Sequence, residues 1–358
     1  MAEVTATLAL AKRTLTPQDL VVGTTIFGPG PAAAGEDPGQ ENADAIVTAC
    51  VAAGITEFDT APWYGAGSSE ERLGRAMAPF LAQGVQAITK AGRLVRQPDG
   101  KTPCAASFED ADSTPLDKRA WCNDYSAAGI RVSLSESLAR MRLDSVHVLR
   151  IHDPDDNSTS DSSVDEVGMC MGSDGACAEL VRMREAGVIS QASLGMNCNR
   201  EPHQGNPDGI IRLIRGVPDG TFDTVLLAGG WNLLTQVGLP CFVECQTRGI
   251  PVHVAGVFAS GLLVGGTTYA YKAAPPEMVE KTDKWRALAL KHGHTLPAVA
   301  IAFAALPKCV TRVVLGMGTP AHLQEILAHV EASNAVAAEF WAEAREIGLL
   351  ASDLALPS

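Results

Sequence analysis

Ile55-Thr56-Glu57-Phe58-Asp59-Thr60-Ala61-Pro62-Trp63-Tyr64-Gly65, with Ser69-Glu70-Glu71-Arg72-Leu73-Gly74 close behind, reads as one structural unit. A short β-rich run at 55–59 leads through a loop into a helical stretch at 69–82. The same alternation runs outward in both directions. Further β-rich apolar runs fall at 20–26, 87–90, 146–152, 189–195, 221–227, 250–255 and 310–315, and helical segments between them fall near 40–53, 125–141, 176–186, 207–215, 238–248 and 277–292. Several of these helices end on a glycine such as Gly54, Gly84, Gly187 or Gly249, a common helix stop. Strands that alternate with helices must pair in parallel, because each connection crosses back over the sheet.

Eight such units predict a (β/α)8 TIM barrel, with Val225-Leu226-Leu227 and Val252-His253-Val254 as interior runs. An open doubly wound sheet would want a Gly-x-Gly-x-x-Gly turn after its first strand, and the sequence has none. The expectation is a single domain over 1–358 with its core at about 18–334 and extra helices near the C-terminus, at 297–306 (capped by Thr295) and 335–350. Two insertions, 96–124 and 155–175, have little periodicity and follow strands, which makes them long loops at the C-terminal face of the barrel. The first is a candidate substrate loop, and the second, with its Asn157-Ser158-Thr159-Ser160-Asp161-Ser162-Ser163 run, reads as a solvated excursion.

Composition limits the function. The chain has 358 residues, 46% of them apolar, which is ample for a buried core. Its net charge of -13 has no basic run set against it, so nucleic acid is not an expected partner. No window resembles a membrane span and the first residues lack a secretory pattern, so the expectation is a soluble, cytoplasmic protein acting on small molecules. The nine cysteines miss the spacing of zinc or dithiol motifs and read as free thiols, and no metal is expected. Cys241 and Cys245, one helical turn apart, read as core packing.

Four residues carry chemistry. Asp59, Lys90 and His152 each end a predicted strand, and Tyr64 lies just beyond one, so closure of the barrel brings all four to one mouth. A phenol, with a pKa of about 10, donates a proton poorly at neutral pH. A neighbouring ammonium favours its phenolate, and a carboxylate paired with that ammonium holds it in place. An imidazole beside them can orient a carbonyl or alcohol for hydride transfer, the hard step being a nicotinamide's. Trp63 and Trp121, in loops at the mouth, are candidate walls against which a sugar face or flat ring packs.

The order, spacing and surroundings of Asp59, Tyr64, Lys90 and His152 resemble the aldo-keto reductase superfamily, whose tetrad of Asp, Tyr, Lys and His falls on these four positions. Thr89-Lys90-Ala91-Gly92-Arg93-Leu94, Ile151-His152-Asp153-Pro154-Asp155, Leu226-Leu227-Ala228-Gly229 and Phe258-Ala259-Ser260-Gly261-Leu262-Leu263 look like its D-threo-aldose 1-dehydrogenase branch, which includes L-fucose and galactose dehydrogenases. The resemblance implies oxidation of an aldose to its lactone with NAD or NADP. Pyridoxal oxidation, aldehyde or ketone reduction, and a cofactor-binding regulatory subunit stand as alternatives. Implied substrates are a sugar, lactol or aldehyde.

Val314-Leu315-Gly316-Met317-Gly318-Thr319-Pro320 ends the last strand in a glycine turn and opens a helix with Thr319 at the N-cap, where unpaired N–H groups favour an anion. The resemblance makes this the clasp for the adenosine side of the dinucleotide, implying cofactor contacts at Gly316, Met317, Gly318, Thr319, His322 and Glu325 and, across the barrel, at Gly23 and Thr24. Where many reductases carry Lys and Arg for the 2′-phosphate, this chain has Gly316 and His322, so NAD is expected at least as readily as NADP. The carboxamide clamp falls on Asn197, with Cys198 and Ala228 in place of the usual Asn and Gln, and the stacking position on Val257 or Phe258.

Overall fold

In the computed structural model, which describes residues 7–29, 37–104, 115–155, 164–199, 206–351 and 354–356, the eight expected strands close on themselves. They are β1 (Leu20–Gly23), β2 (Glu57–Asp59), β3 (Gln86–Ala91), β4 (Val146–His152), β5 (Ile189–Asn197), β6 (Thr224–Ala228), β7 (Val252–Ala255) and β8 (Val310–Gly316). Each pairs in parallel with its sequence neighbours, and β8 pairs with β1 to seal the ring. The (β/α)8 barrel is therefore the architecture, with helices packed around it.

Side chains on a strand alternate between the helix layer and the interior. The inner face carries a small apolar cluster of Val21, Ile88, Val148, Leu226 and Val314, separate from the large core between barrel and helices. Two residues further along the same faces, the inward positions become Gly23, Lys90, Arg150, Ala228 and Gly316. The expected interior runs thus supply one inward side chain each: Leu226 is inward while Val225 and Leu227 face the helices, and His253 is inward while Val252 and Val254 face out.

Several expected elements are shorter or split. β1 stops at Gly23 and passes into a 3-10 turn at Thr25–Phe27. The helix expected at 69–82 runs as Ser68–Met77 and continues as a 3-10 segment at Ala78–Gln83, where Pro79 cannot donate to an α-helical ladder. Thr295 caps the helix Leu296–Ala304, and Thr319 caps Pro320–Ser333, each through its side chain. Neither insertion is structureless throughout. Arg93–Arg96 pairs antiparallel with Ala120–Asn123, bracketing the first, and the second contains the helix Glu166–Met171. Short strands whose side chains pack locally have no long apolar period to announce them. The serine-rich run at 157–163 lies outside the described residues.

The nine cysteines are free thiols, with Cys241 and Cys245 fully buried in the core. Among the described residues, no helix is long and apolar enough to cross a membrane, and no group of three or more His, Cys, Asp or Glu side chains could hold a metal.

Candidate active site

The motif after β2 is a locking device. Tyr64 is followed by Gly65, Ala66 and Gly67, all left-handed with φ of 57°, 52° and 95°. A Cβ on Gly65 would lie 2.6 Å from Gly28 Cα, so the loops after β1 and β2 touch backbone to backbone. The helix that follows buries its polar residues. The Ser69 hydroxyl donates to Thr24 O at 2.8 Å and meets the Thr60 hydroxyl at 3.0 Å. Glu70, fully buried, accepts from Thr89 Oγ1 at 2.5 Å and Arg140 Nε at 2.7 Å, while Arg72 Nη1 donates to Phe27 O at 2.6 Å. Gly74 lets this helix meet the end of helix Ala127–Met141, since a Cβ there would lie 2.0 Å from Met141 O. These residues fix where Tyr64 stands.

All four expected residues converge. Lys90 Nζ donates to a carboxylate oxygen of Asp59, to Thr60 O at 2.7 Å and to the Tyr64 hydroxyl at 3.0 Å, using its three N–H groups. Burial would lower the Lys90 pKa, but the charges of Asp59 and Tyr64 outweigh it and hold the pKa above its ordinary 10.5. Lys90 is thus a permanent ammonium. The rings of Tyr64 and His152 stand edge to face with centroids 6.1 Å apart. Burial, then the nearby charges of Arg93 and Lys90, keep the His152 pKa well below 6.5. His152 is therefore neutral near pH 7, and the 3.6 Å between its Nε2 and Asp153 Oδ2 is too long for a hydrogen bond and not an ion pair. Its Nδ1 is buried without a partner.

Three further residues belong to this cluster. Arg150, two residues before His152 and fully buried, donates to Asp59 Oδ2 at 3.0 Å and to Ser193 Oγ at 2.6 Å, and pairs with His253 Nδ1 at 2.9 Å. Burial and the Arg150 charge keep the His253 pKa well below 6.5, so its Nδ1 can accept. Asp153 and Arg93 flank the His152 side, with Arg93 Nη2 donating to Asp153 O at 3.1 Å. A cation inside the apolar run 146–152 was the visible signal for Arg150; Arg93 and Asp153 stood in two of the motifs that carry the family resemblance, but the pattern gave neither a role.

The tryptophans also meet. The hairpin carries Trp121 to Trp63, with ring centroids 4.1 Å apart and planes 39° off parallel, and the Arg93 guanidinium lies 5.1 Å from the Trp63 centroid. Both rings keep partial exposure.

The expected cofactor residues divide. Gly23 pairs with Gly316 and Ala228 with Ala255 at the strand ends, leaving a rim of small side chains at the mouth. Gly316, Thr319, His322 and Glu325 are exposed, Gly318 is half-buried, and the first turn of helix Pro320–Ser333 has no acidic residue to oppose an anion. That rim, this helix N-terminus and the unpartnered His152 Nδ1 fit a dinucleotide lying across the mouth. Asn197 is half-buried at the end of β5. Three side chains have other work. Thr24 is fully buried with its hydroxyl on Asp59 O and Ser69; Met317 is fully buried with its sulfur accepting from Cys50; and Val257 is 1% exposed, which leaves Phe258 as the side chain with surface to offer. Cys198, equally buried, is no clamp.

A barrel of this topology with this cluster at its C-terminal mouth defines a class of oxidoreductase. The Aldo/keto reductase family matches residues 19–348, and the chain belongs to that family of NAD(P)-dependent oxidoreductases. It is 30% identical over 318 residues to the D-threo-aldose 1-dehydrogenase of a Pseudomonas species, covering 87% of this chain and 89% of that one. It is 28% identical over 326 residues to pyridoxal 4-dehydrogenase of Microbacterium luteolum, again covering 87% and 89%. An aldo-keto reductase of Bacillus halodurans, solved in its holo form, superposes with a TM-score of 0.64 at 18% identity over 96% of this chain and 98% of that one, a likeness of fold.

Proposed function

We propose that this enzyme oxidises the anomeric carbon of an aldose in its cyclic hemiacetal form to the lactone, with NAD preferred or equal to NADP and Tyr64 as the acid-base group. The observation that carries the reading is the hydrogen-bonded chain from buried Asp59 and Lys90 to half-buried Tyr64, with neutral His152 beside it. Lys90, held charged, donates to the Tyr64 oxygen at 3.0 Å and favours negative charge there, which suits that oxygen to exchange the proton of the anomeric hydroxyl. As the carbon–oxygen double bond forms, the anomeric C–H leaves as hydride with its electron pair; hydride acceptance is the chemistry a bound nicotinamide supplies. Neutral His152 donates to the substrate oxygen and orients it. Trp63 and Trp121 offer a partly exposed aromatic wall suited to the apolar face of a sugar.

The cofactor half rests on His322. An exposed imidazole and Gly316 present no fixed cation to a 2′-phosphate. Initial rates with a panel of aldoses, pyridoxal and simple aldehydes, each with NAD and NADP, test both halves. Lactone formation from an aldose at NAD efficiency equal to or above NADP supports them, and His322→Arg should shift preference toward NADP. Turnover confined to pyridoxal or aldehydes would replace the substrate assignment, and strong NADP selectivity at every pH would overturn the cofactor assignment.

A further inference from the structure

Asp153 uses every polar group it has. It stands directly after His152 with φ of 42°, a left-handed backbone uncommon outside glycine, asparagine and aspartate, and it is 4% exposed. Its N–H donates to Gly195 O at 3.1 Å, and its carbonyl accepts from Arg93 at 3.1 Å and from the Tyr125 hydroxyl at 3.3 Å. Its carboxylate grips Asn197 twice: Oδ1 accepts from the Asn197 backbone N–H at 2.8 Å, and Oδ2 from the Asn197 side-chain Nδ2 at 3.0 Å. Arg93 Nη2 lies 3.8 Å from Oδ2 and supports the ionised form. So many partners on one residue in a strained conformation mark a position that the surrounding structure enforces.

The consequence lies in what a carboxylate can do. An amide side chain can turn either end toward a neighbour, but an ionised carboxylate only accepts hydrogen bonds. Asp153 therefore compels Asn197 to face it with NH2 and leaves the amide carbonyl oxygen, at the opposite end of the amide, as the acceptor Asn197 offers elsewhere. We propose that Asp153 is a positioning residue that sets the polarity of Asn197, so that the cleft presents a hydrogen-bond acceptor matched to the NH2 of a carboxamide. This rests on the proposed reading of Asn197 as the side chain facing the nicotinamide carboxamide. It goes beyond that reading by making selection for carboxamide over carboxylate a property of Asp153.

Binding measurements on the whole protein separate the two claims. The probes are NAD and its deamido analogue, nicotinic acid adenine dinucleotide, titrated by tryptophan fluorescence with thermal melts as a folding control. Wild type should bind NAD at least about tenfold more tightly than the analogue, because its acceptor faces a second acceptor there. Asp153→Asn keeps a residue at home in the left-handed region but frees Asn197 to flip, so the preference should fall to within about threefold. Asp153→Gly, which fits the same backbone without Cβ strain, should do likewise and serves if the asparagine variant fails to fold. In an Asn197→Ala background Asp153→Asn should leave the remaining preference unchanged; a further change there would mean that Asp153 repels the analogue directly, which overturns the proposal. An unaltered preference in folded Asp153 variants overturns it too. If wild type binds neither dinucleotide, the cofactor reading itself falls; if it binds both equally, the proposal alone falls.

Discussion

Replacing Arg150 with methionine is the perturbation whose size the structure predicts best. The guanidinium has no exposed surface and holds three groups at once: Asp59 Oδ2, Ser193 Oγ and His253 Nδ1. Removing one partner of a buried ion pair typically costs about 3–5 kcal/mol, chiefly because a charge is left uncompensated. Here Asp59 keeps Lys90, so the orphaned charge is avoided and the cost belongs at the low end, about 3 kcal/mol. Methionine fills similar volume, so little of the loss comes from a cavity. Arg150→Lys, with one compact ammonium in place of a planar fork, cannot reach all three partners and should recover no more than about half of the loss. Urea unfolding of wild type and both variants measures this. Turnover of the folded variants should also drop, since Asp59 then aligns Lys90 with one oxygen untethered. A loss below about 1 kcal/mol for Arg150→Met would refute the idea that this cation organises the barrel interior.

Two other perturbations follow from the geometry. Gly65→Ala puts a Cβ 2.6 Å from Gly28 Cα, so the Tyr64 loop must move; turnover should fall at least tenfold by the cost of misplacing a catalytic group, roughly 1.4 kcal/mol, and unchanged turnover would show the contact to be slack. His152 and His253 are both held neutral by burial and neighbouring cations, with pKa values well below 6.5. The unfolded chain takes up these two protons below about pH 6.5 and the folded one does not, so stability falls on acidification. Between pH ~7.5 and pH ~5.5 the loss should be about 2–3 kcal/mol by urea unfolding, and a flat profile would mean that these imidazoles protonate in place.

What the sequence disclosed, and what it hid, follows from the range of each interaction. The strands were legible because short apolar runs alternate with helical stretches eight times, several of those helices closing on a glycine, a local pattern with a local cause. The tetrad was legible because Asp59, Lys90 and His152 sit at strand ends, where topology alone dictates their meeting. Arg150 showed itself only as an odd cation in an apolar run, since its partners Asp59, Ser193 and His253 lie on three other strands. Asp153 stood in a recognisable motif, but its role was not legible because it depends on a left-handed backbone and on Asn197, 44 positions away. The family resemblance implied cofactor contacts at Thr24 and Met317, and the structure buries both side chains in the packing behind the mouth. The hairpin that brings Trp121 to Trp63 has no sequence signature, because 4-residue strands carry too few alternations to set a period.

Tyr64 as the proton-transfer group is the central claim, and Tyr64→Phe measures it directly. The variant removes one oxygen, 3.0 Å from Lys90 Nζ, and leaves the packing of the ring in place. Steady-state oxidation of the best aldose, alongside NAD binding and a thermal melt, should show a fold and a cofactor affinity near wild type with turnover lowered at least about a hundredfold. Turnover within threefold of wild type would contradict the central claim and move the acid-base role to another group at the mouth.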